Sequence, residues 1–564
     1  MIKINSLNKN KLSLIFIILF AFIITFTIIW INSTESFLGH SYRDVYLYLI
    51  DALKFSGLEI GGYDYVDYLS PLIPFLTSLL FKLGFVSETS IFITTGIFFF
   101  FAIIGIYLIL KLKFNNTIAI FGTILYTSLA MNLQWAGNGT IDIPSISLAI
   151  WGLYLFILGV EKNQKFFYLA FPIAVLSFFA KYTGIFVFGL MGLYFLSKPH
   201  ILNNIKKYFK NLLGGVIFGI LTATPFITHF LVNDIPFGFL NQAGEVASKT
   251  STTATSGGKL IGNDLLFYFE GLIYYISGTE YIYGIIILIF ASLGLILTIY
   301  KFQDTIKNSF KKIKSINILK YQVPPKLFYL LIIISIILIA FSFLTASLFS
   351  VIYSEMILFI AMFLFSYSVS KIILKSENIT DINKSSYPNL ALNITMFAFF
   401  FAYIVFFSSH LTKADRYFTA MAPGFIYLVS FCINEINLKL DLKNKLNLII
   451  PIALIIILLI SAGSFLSRDK YDSIYDDERN AANWIENTSP DYKNLVIWAD
   501  RGPIYTWLFE KEVFYVKDAY TVDELNDALV DANATYYIHL GGRLNLTDYV
   551  EVNKYDDTII YKKI

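Results

Sequence analysis

The sequence predicts a polytopic α-helical membrane protein with a small α/β domain at its C-terminal end. Of the 564 residues, 56% are hydrophobic and only 15% are charged, whereas a soluble domain carries about 25% charged residues. Many uninterrupted apolar runs reach the roughly 20 residues that are needed to cross a bilayer. After residue 466 the composition changes abruptly, and short patterns typical of strands and amphipathic helices replace the long apolar runs.

The apolar runs predict about thirteen membrane-spanning helices, by the length that a helix needs to cross the hydrocarbon core. They lie at 11–31, 89–111, 116–134, 141–160, 166–181, 183–197, 211–231, 281–300, 327–346, 349–371, 390–409, 417–434 and 447–466. The fifth and sixth form one long apolar stretch that is broken at AKYTG (180–184), which we interpret as a turn at the outer surface.

The distribution of lysine and arginine predicts the orientation of these helices, because cytoplasmic loops carry an excess of both residues. The basic loops 198–211, 301–326 and 437–447 fall on one side of the predicted membrane, together with the lysine-containing N-terminus. That side is therefore the cytoplasm. An odd number of spans places the C-terminal segment outside, so we expect a multi-pass protein of the cell membrane with an extracytoplasmic C-terminal domain.

We expect two domains, a transmembrane domain at 1–466 and a soluble extracytoplasmic α/β domain at 467–564. Two long outside loops, at 32–88 and 232–280, interrupt the transmembrane domain. The soluble domain contains predicted helices at 477–489 and 521–532 and predicted strands at 494–499, 512–516 and 535–540. Because helices and strands alternate, we expect them to form a compact α/β layer.

Composition and motifs exclude several classes of function. The net charge of +3 gives no indication of nucleic-acid binding, and the single cysteine, Cys432, rules out an intrachain disulfide. The chain contains no H-E-x-x-H motif, cysteine cluster, P-loop or dinucleotide fingerprint. We therefore predict no metal site and no required cofactor, although scattered carboxylates leave a divalent cation, Mg²⁺ or Mn²⁺, open.

A group of polar residues follows the first apolar run, in HSYRDVYLYLIDAL (40–53). In a helix, Asp44, Tyr48 and Asp51 are spaced i, i+4, i+7 and share one face. This spacing predicts an amphipathic helix that lies on the outer surface of the membrane, with its polar face toward a cavity of the bundle. Ser41 and Asp44 also fit a capping box, so a purely structural role for Asp44 stays open.

Acidic residues also accompany tyrosines in GGYDYVDYLSPLIPFL (61–76), where Asp64 and Asp67 lie among three of them. Aromatic faces and carboxylates suit the rings and hydroxyls of sugars. Tyrosines are equally common at membrane interfaces in any protein, and we favour that interpretation for most of them.

Two charged residues mark the outer ends of predicted spans. Asp142 follows the turn GNGT (137–140) and opens a span; a helix cap is the alternative interpretation. Lys181 stands in the break at AKYTG, where a cation in an apolar hairpin is energetically costly and indicates a function. Alternatively, the Lys181 side chain extends to the interface.

The late outside loop SSHLTKADRYF (408–418) contains Lys413, Asp415, Arg416 and Tyr417. Its cations break the positive-inside trend, which indicates a specific role, with pairing to Asp415 as the alternative. Glu355 lies within a predicted span, where it either lines a cavity or is paired with another side chain.

These motifs, in this order, resemble the GT-C superfamily of membrane glycosyltransferases. The similarity is to the group of dolichyl-phosphate-mannose–protein mannosyltransferases and aminoarabinose transferases (glycosyltransferase 39/83 type). The resemblance lies in Asp44 and Tyr48 of a D-x-x-x-Y motif, in the Pro-rich entry LSPLIPFL (69–76), in Asp142, in Lys181, and in the element that carries Arg416, Tyr417 and Pro423.

The sequence departs from this family in two places. Arg43 and Val45 flank Asp44, so the acidic pair of the family's first motif is absent. Ser70 and Ile73 replace the usual residues of the Pro-rich entry.

The resemblance implies an inverting transfer of a sugar from a polyprenyl-phosphate-linked donor to an acceptor hydroxyl on the outer face of the membrane. The acceptor would be a protein, a glycan or a lipid, and membrane lipids would surround the donor. Asp44 would act as general base. The donor phosphate would be bound by Lys181 and Arg416, with Arg43 and Lys413 as further cations. The substrate-binding residues would be Tyr48, Asp64, Asp67, Asp142 and Tyr417.

Two other functions are consistent with the same charges. A transporter or flippase of lipid-linked sugars would need a charged cavity and no base; mid-membrane charges and an inverted repeat would favour it. A receptor or scaffold would use the C-terminal domain as its working part.

Overall fold

A computed structural model gives the fold. It describes residues 6–34, 44–58, 69–198, 201, 204–238, 240, 259–260, 265–312, 316–318, 321–346, 351–379, 387, 389–409, 412–440, 448–467, 476–515 and 521–564.

The predicted polytopic helical architecture is confirmed, and each predicted span contains a helix. Ten helices within the described ranges are long and apolar enough to cross a membrane. These are α1 (Ser6–Thr34), α4 (Glu88–Lys111), α7 (Asp142–Glu161), α10 (Ile205–Val232), α13 (Tyr281–Lys312), α14 (Pro325–Thr345), α15 (Val351–Ser376), α16 (Leu390–Ser409), α17 (Phe418–Leu440) and α18 (Ile449–Leu466).

The remaining predicted spans form shorter helices, because local breaks interrupt them. Residues 116–134 are divided between α5 (Asn116–Ser128) and α6 (Ala130–Trp135). Asn115 caps the first of these by accepting the Ile118 N–H, and the Asn132 side chain donates to the Tyr126 carbonyl across the break at 2.7 Å. The long stretch around 180–184 is divided into α8 (Phe167–Ala180) and α9 (Phe186–Leu196), as the sequence predicts.

Short helices and strands lie between the spans and pack against the bundle. The helices are α2 (Asp44–Ser56), α3 (Leu72–Lys82), α11 (Phe267–Glu270) and α12 (Leu272–Ser277). The strands form two antiparallel pairs, β1 (Lys259–Leu260) with β4 (Thr412–Lys413) and β2 (Ile316–Ile318) with β3 (Tyr321–Val323).

The spans differ in how much of their surface the protein covers. Helices α4, α7, α16 and α17 are mostly buried and form the centre of the bundle. Helices α1, α10, α13, α14 and α18 expose large apolar side chains over most of their length. In a membrane these exposed faces contact lipid, since an apolar surface of this size is unfavourable in water.

The C-terminal segment forms a small α/β domain with a five-stranded sheet in the order β6-β5-β7-β9-β8. Its strands are β5 (Ile497–Ala499), β6 (Phe514–Tyr515), β7 (Tyr536–Leu540), β8 (Tyr549–Tyr555) and β9 (Thr558–Lys563), and its helices are α19 (Asp476–Thr488), α20 (Gly502–Phe509) and α21 (Val522–Asp531). The capping box expected at the start of α21 is present, since Thr521 and Glu524 bond each other's backbone N–H. The sequence analysis missed β8 and β9, which form an antiparallel hairpin at the sheet edge.

An ion pair and a tryptophan join the C-terminal domain to the helices of the bundle. The Arg479 guanidinium of α19 donates to both carboxylate oxygens of Glu88, at 3.1 and 2.9 Å, where α4 begins. The Trp507 Nε1 of α20 donates to the same carboxylate at 3.2 Å, and its ring stacks on Phe81 with centroids 6.2 Å apart. Ile504 is fully buried in the apolar cluster around α2. The C-terminal domain therefore covers α2.

We expect Arg479→Ala to weaken this attachment, because it removes two hydrogen bonds from a carboxylate that is only 13% exposed. Hydrogen bonds to charged groups contribute about 1.5–3 kcal/mol, so the free energy of unfolding should fall by that amount. Thermal unfolding of the detergent-solubilised protein measures the change. Lys493→Ala is the control, since Lys493 is 55% exposed in its ion pair with Glu510 and should have no measurable effect. Equal unfolding temperatures for the two variants would contradict the expected attachment.

Candidate active site

Asp44 begins α2, and the whole first part of this helix is buried. Residues 44–53 are all enclosed, with Asp44 9% and Tyr48 1% exposed. The helix is therefore enclosed by other parts of the protein, because α3 and α20 pack against it, and its place at the outer surface of the membrane stays a prediction. Within the described part of the chain, no hydrogen bond or ion pair involves the Asp44 carboxylate. Ser41, the other half of the expected capping box, lies outside the described residues.

The turn between α8 and α9 places Lys181. Helix α8 ends at Ala180, Lys181 is extended, and a 3₁₀ turn over Tyr182–Ile185 leads into α9. The Ser145 hydroxyl, on α7, donates to the Ser177 carbonyl at 2.9 Å. The turn is thus fixed against α7, the helix that Asp142 begins.

Lys181 and Asp142 form an ion pair, which neither residue's sequence position reveals. The Asp142 carboxylate is 1% exposed and the Lys181 side chain 18% exposed, so one edge of the pair remains open. The Lys181 ammonium also lies 4.7 Å from the ring centre of Tyr417 and 5.6 Å from that of Phe407. Asp142 and these two rings therefore hold the cation.

Arg416 comes from a distant part of the chain and also lies against the Tyr417 ring. Asp415–Tyr417 form a 3₁₀ turn before α17, and the Arg416 guanidinium carbon lies 5.2 Å from the Tyr417 ring centre. Tyr417 itself stacks on Phe407, with centroids 4.3 Å apart. Lys181 and Arg416 thus share one aromatic ring, although 235 residues separate them in sequence. We call Asp142, Lys181, Arg416, Tyr417 and Phe407 the cation cluster.

Lys413 has a different environment from the cation cluster. Its side chain is 2% exposed, and its ammonium donates to the Ser408 carbonyl at 2.9 Å, at the end of α16.

Asp415 accepts a hydrogen bond from the Tyr275 hydroxyl at 3.1 Å. Burial, together with the charge of Asp415, raises the pKa of Tyr275 above its ordinary value.

Helix α2 and the cation cluster lie next to each other. The Tyr182 hydroxyl donates to the Leu69 carbonyl at 3.1 Å, and Leu69 packs in the same apolar cluster as the side chains of α2. Ile141, next to Asp142, belongs to that cluster too. Asp44 forms no hydrogen bond or ion pair with Lys181 or Arg416 in the described chain, so the two parts of the site are adjacent but separate. Arg43, Asp64 and Asp67 lie outside the described residues.

Two comparisons relate the chain to known proteins. Residues 69–229, which include Asp142 and Lys181, match the family described as dolichyl-phosphate-mannose-protein mannosyltransferase. The crystal structure of ArnT from Cupriavidus metallidurans bound to undecaprenyl phosphate aligns with a TM-score of 0.56 at 10% identity, and the alignment covers 98% of each chain. The protein has an ArnT-like fold. The family match confirms the resemblance over residues 69–229.

A second solved structure has a lower similarity. The oligosaccharyltransferase of Archaeoglobus fulgidus aligns with a TM-score of 0.48 at 12% identity, over 93% of this chain and 68% of the other. No curated protein sequence matches the chain.

No metal centre is evident in the part of the chain that the structure describes. Those residues contain no group of three or more histidine, cysteine, aspartate or glutamate side chains that could hold a metal ion.

Sequence reasoning missed a polar group within the C-terminal domain. The Tyr537 hydroxyl donates to Asp500 Oδ1 at 2.6 Å, while His539 Nδ1 and the Leu540 N–H each lie 2.8 Å from Oδ2. Burial alone would raise the pKa of Asp500, but these hydrogen bonds outweigh it and hold the pKa below its ordinary value of 3.8. The partners come from a strand 39 residues away, which no local pattern indicates.

Phe407 was also missed, because a phenylalanine in an apolar span gives no signal of its own. Only the fold places its ring beside Lys181 and Tyr417.

We expect Gly184→Ala to disrupt the turn that places Lys181. A Cβ atom at Gly184 would lie 2.4 Å from the Ser177 carbonyl oxygen, a backbone atom that cannot move without breaking the turn. Such overpacking costs about 1–3 kcal/mol, so the unfolding temperature should fall. Gly192→Ala is the matched control on α9, since a Cβ there would meet nothing within 4 Å. If both variants unfold at the wild-type temperature, the close approach at Gly184 is not a constraint.

Proposed function

We propose that the protein is a membrane glycosyltransferase of the GT-C type that transfers a sugar from a polyprenyl-phosphate-linked donor to an acceptor hydroxyl. The observation that carries this proposal is the cation cluster, in which Lys181 and Arg416 meet on Tyr417 beside the helix that Asp44 begins. Two kinds of comparison support it. The family that matches residues 69–229 is described by its dolichyl-phosphate-mannose donor, and the crystallised ArnT of similar fold binds undecaprenyl phosphate.

The cation cluster suits the phosphate of a lipid-linked donor. A phosphate that accepts hydrogen bonds from both cations would have its negative charge stabilised as the bond to the sugar breaks. The planar guanidinium of Arg416 can bond two phosphate oxygens at once, whereas Lys181 acts as a point charge. Asp142 fixes the Lys181 ammonium in place before the donor arrives, so little reorganisation is needed during the reaction.

Asp44 suits the role of general base. An acceptor hydroxyl would attack the anomeric carbon while its proton passes to the Asp44 carboxylate. The new bond joins the acceptor oxygen to the sugar, and the electron pair of the broken bond stays on the lipid phosphate oxygen. A single displacement of this kind inverts the anomeric centre.

The lipid nature of the donor and the charge distribution favour chemistry on the outer face of the membrane. The basic loops define the opposite, cytoplasmic side, so the cation cluster, α2 and the C-terminal domain all lie outside in the predicted topology. The C-terminal domain, which covers α2, would shape the path of the protein, glycan or lipid acceptor. Arg43 and Lys413 remain predicted contacts of the donor phosphate, and Tyr48, Asp64 and Asp67 remain predicted substrate-binding residues.

Replacing the proposed base should abolish transfer. For Asp44→Asn we expect a fall in activity of about 10²-fold or more, the usual contribution of a general base. The assay follows release of free polyprenyl phosphate from a radiolabelled lipid-linked sugar in membranes that contain the protein. Glu435→Gln is the control, because Glu435 pairs with Lys301 at the other end of the bundle, at 2.8 Å, and should not affect the chemistry. Undiminished activity of Asp44→Asn would remove Asp44 from this role.

Removing either cation should weaken donor binding. We expect Arg416→Ala and Lys181→Ala each to reduce the affinity for a polyprenyl phosphate by about tenfold or more, since one charge-assisted hydrogen bond contributes about 1.5–3 kcal/mol. Arg416→Lys should recover part of the loss, because it restores the charge without the second donor. Titration of the lipid into protein in nanodiscs measures the affinity. Wild-type affinity in both alanine variants would place the phosphate elsewhere.

A further inference from the structure

One buried carboxylate takes no part in the mechanism above. Glu355 lies near the first turn of α15 and is 7% exposed. Both of its carboxylate oxygens are buried, and neither has a hydrogen-bond partner among the residues that the structure describes. The sequence left open whether Glu355 lines a cavity or is paired with another side chain, and no side chain within the described ranges pairs with it.

A carboxyl group in this environment is energetically costly. A buried donor or acceptor that lacks its hydrogen bond costs about 1–3 kcal/mol, and more if it is charged. A leucine or methionine at this position would pack without that cost, as Leu358 does one turn away. A polar group that lies within a membrane span at such a cost indicates a ligand that satisfies it.

Glu355 lies on α15, which packs against α16, the helix that carries Tyr403 and Phe407. The Tyr403 ring stacks on Phe407 with centroids 6.1 Å apart, and Phe407 lies beside the Lys181 ammonium. The Tyr403 hydroxyl also donates to the Thr183 carbonyl at 3.3 Å, within the turn that carries Lys181. Glu355 is thus on the same side of the bundle as the proposed phosphate site.

Glu355 lies on a helix that also borders the bilayer. Its neighbours Ile352, Tyr353 and Met356 are 46%, 64% and 55% exposed on the outer surface of α15. A hydrated divalent cation would need several oxygen ligands, and no group of three acidic, histidine or cysteine side chains in the described ranges supplies them. A lipid-linked sugar brings hydroxyl or amino groups, which donate to a carboxylate in strong charge-assisted hydrogen bonds.

We infer that Glu355 is a sugar subsite, which accepts a hydrogen bond from a hydroxyl or amino group of the lipid-linked donor sugar. The inference rests on the proposed function, because the phosphate of the same donor would bind at Lys181 and Arg416. Glu355 would therefore distinguish a sugar-bearing lipid from the free polyprenyl phosphate that remains after transfer.

The test compares lipids with and without a sugar on the full-length protein in nanodiscs. The probes are dolichyl phosphate and dolichyl phosphates that carry mannose, glucose or aminoarabinose, and native mass spectrometry measures their affinities. We expect the wild type to prefer at least one sugar-bearing lipid. Glu355→Leu should reduce that preference by about tenfold, equivalent to about 1.4 kcal/mol, and leave the affinity for dolichyl phosphate unchanged. Glu355→Gln should retain part of the preference, since an amide oxygen also accepts hydrogen bonds.

Two controls separate a binding role from a structural one. Ser354→Ala changes the neighbouring residue, whose hydroxyl lies 3.4 Å from that of Thr345, and should leave all affinities at their wild-type values. Glu355→Leu should unfold at the wild-type temperature or above it, because it removes a buried group without a partner. A lower unfolding temperature would show that Glu355 is structural and would overturn the inference, as would an undiminished sugar preference in Glu355→Leu.

The outcome also distinguishes this inference from the proposed function. If the wild type binds dolichyl phosphate but prefers no sugar-bearing lipid, the sugar subsite is excluded and the phosphate site stands. If the wild type binds none of the lipids, the proposed function itself fails.

Discussion

The ion pair between Lys181 and Asp142 is the constraint on which the rest of the site depends. An ammonium group in an apolar hairpin is tolerated only when a carboxylate and polar or aromatic groups compensate for its lost hydration. The Asp142 carboxylate, which is 1% exposed, supplies that compensation, and Tyr417 and Phe407 provide aromatic faces for the cation. The pair thereby brings together three elements, which are the turn that carries Lys181, the start of α7 and the start of α17. Because one edge of the pair remains open, an anion can reach Lys181.

The C-terminal domain and the bundle are coupled through α2. This helix packs against both α3 and α20, and the contact of Arg479 and Trp507 with Glu88 secures the attachment. A helix that begins with the proposed base gains a fixed orientation from these two contacts, which the proposed chemistry requires. A C-terminal domain with a purely structural role could make the same contacts. Such a role does not require the domain to cover the helix that carries Asp44.

The membrane-spanning helices and the turn at AKYTG could be predicted from the sequence, because the length of an apolar run and its interruption are local signals. The break near Leu129 was missed, since it depends on the Asn132 side chain bonding the Tyr126 carbonyl. Asp142 and Lys181 could each be selected as candidates, yet their pairing could not, because it arises only when α7 and α8 pack together. The burial of α2 was missed for a similar reason: the residues that cover it, in α20, follow more than 400 positions later.

The most direct test of the account is a structure of the protein with a bound polyprenyl phosphate, determined by electron cryomicroscopy in nanodiscs. The account predicts phosphate density within hydrogen-bonding distance of both the Lys181 ammonium and the Arg416 guanidinium, with the isoprenoid chain passing outward between spans into the bilayer. A phosphate bound at any other surface, or one that contacts neither cation, would contradict it.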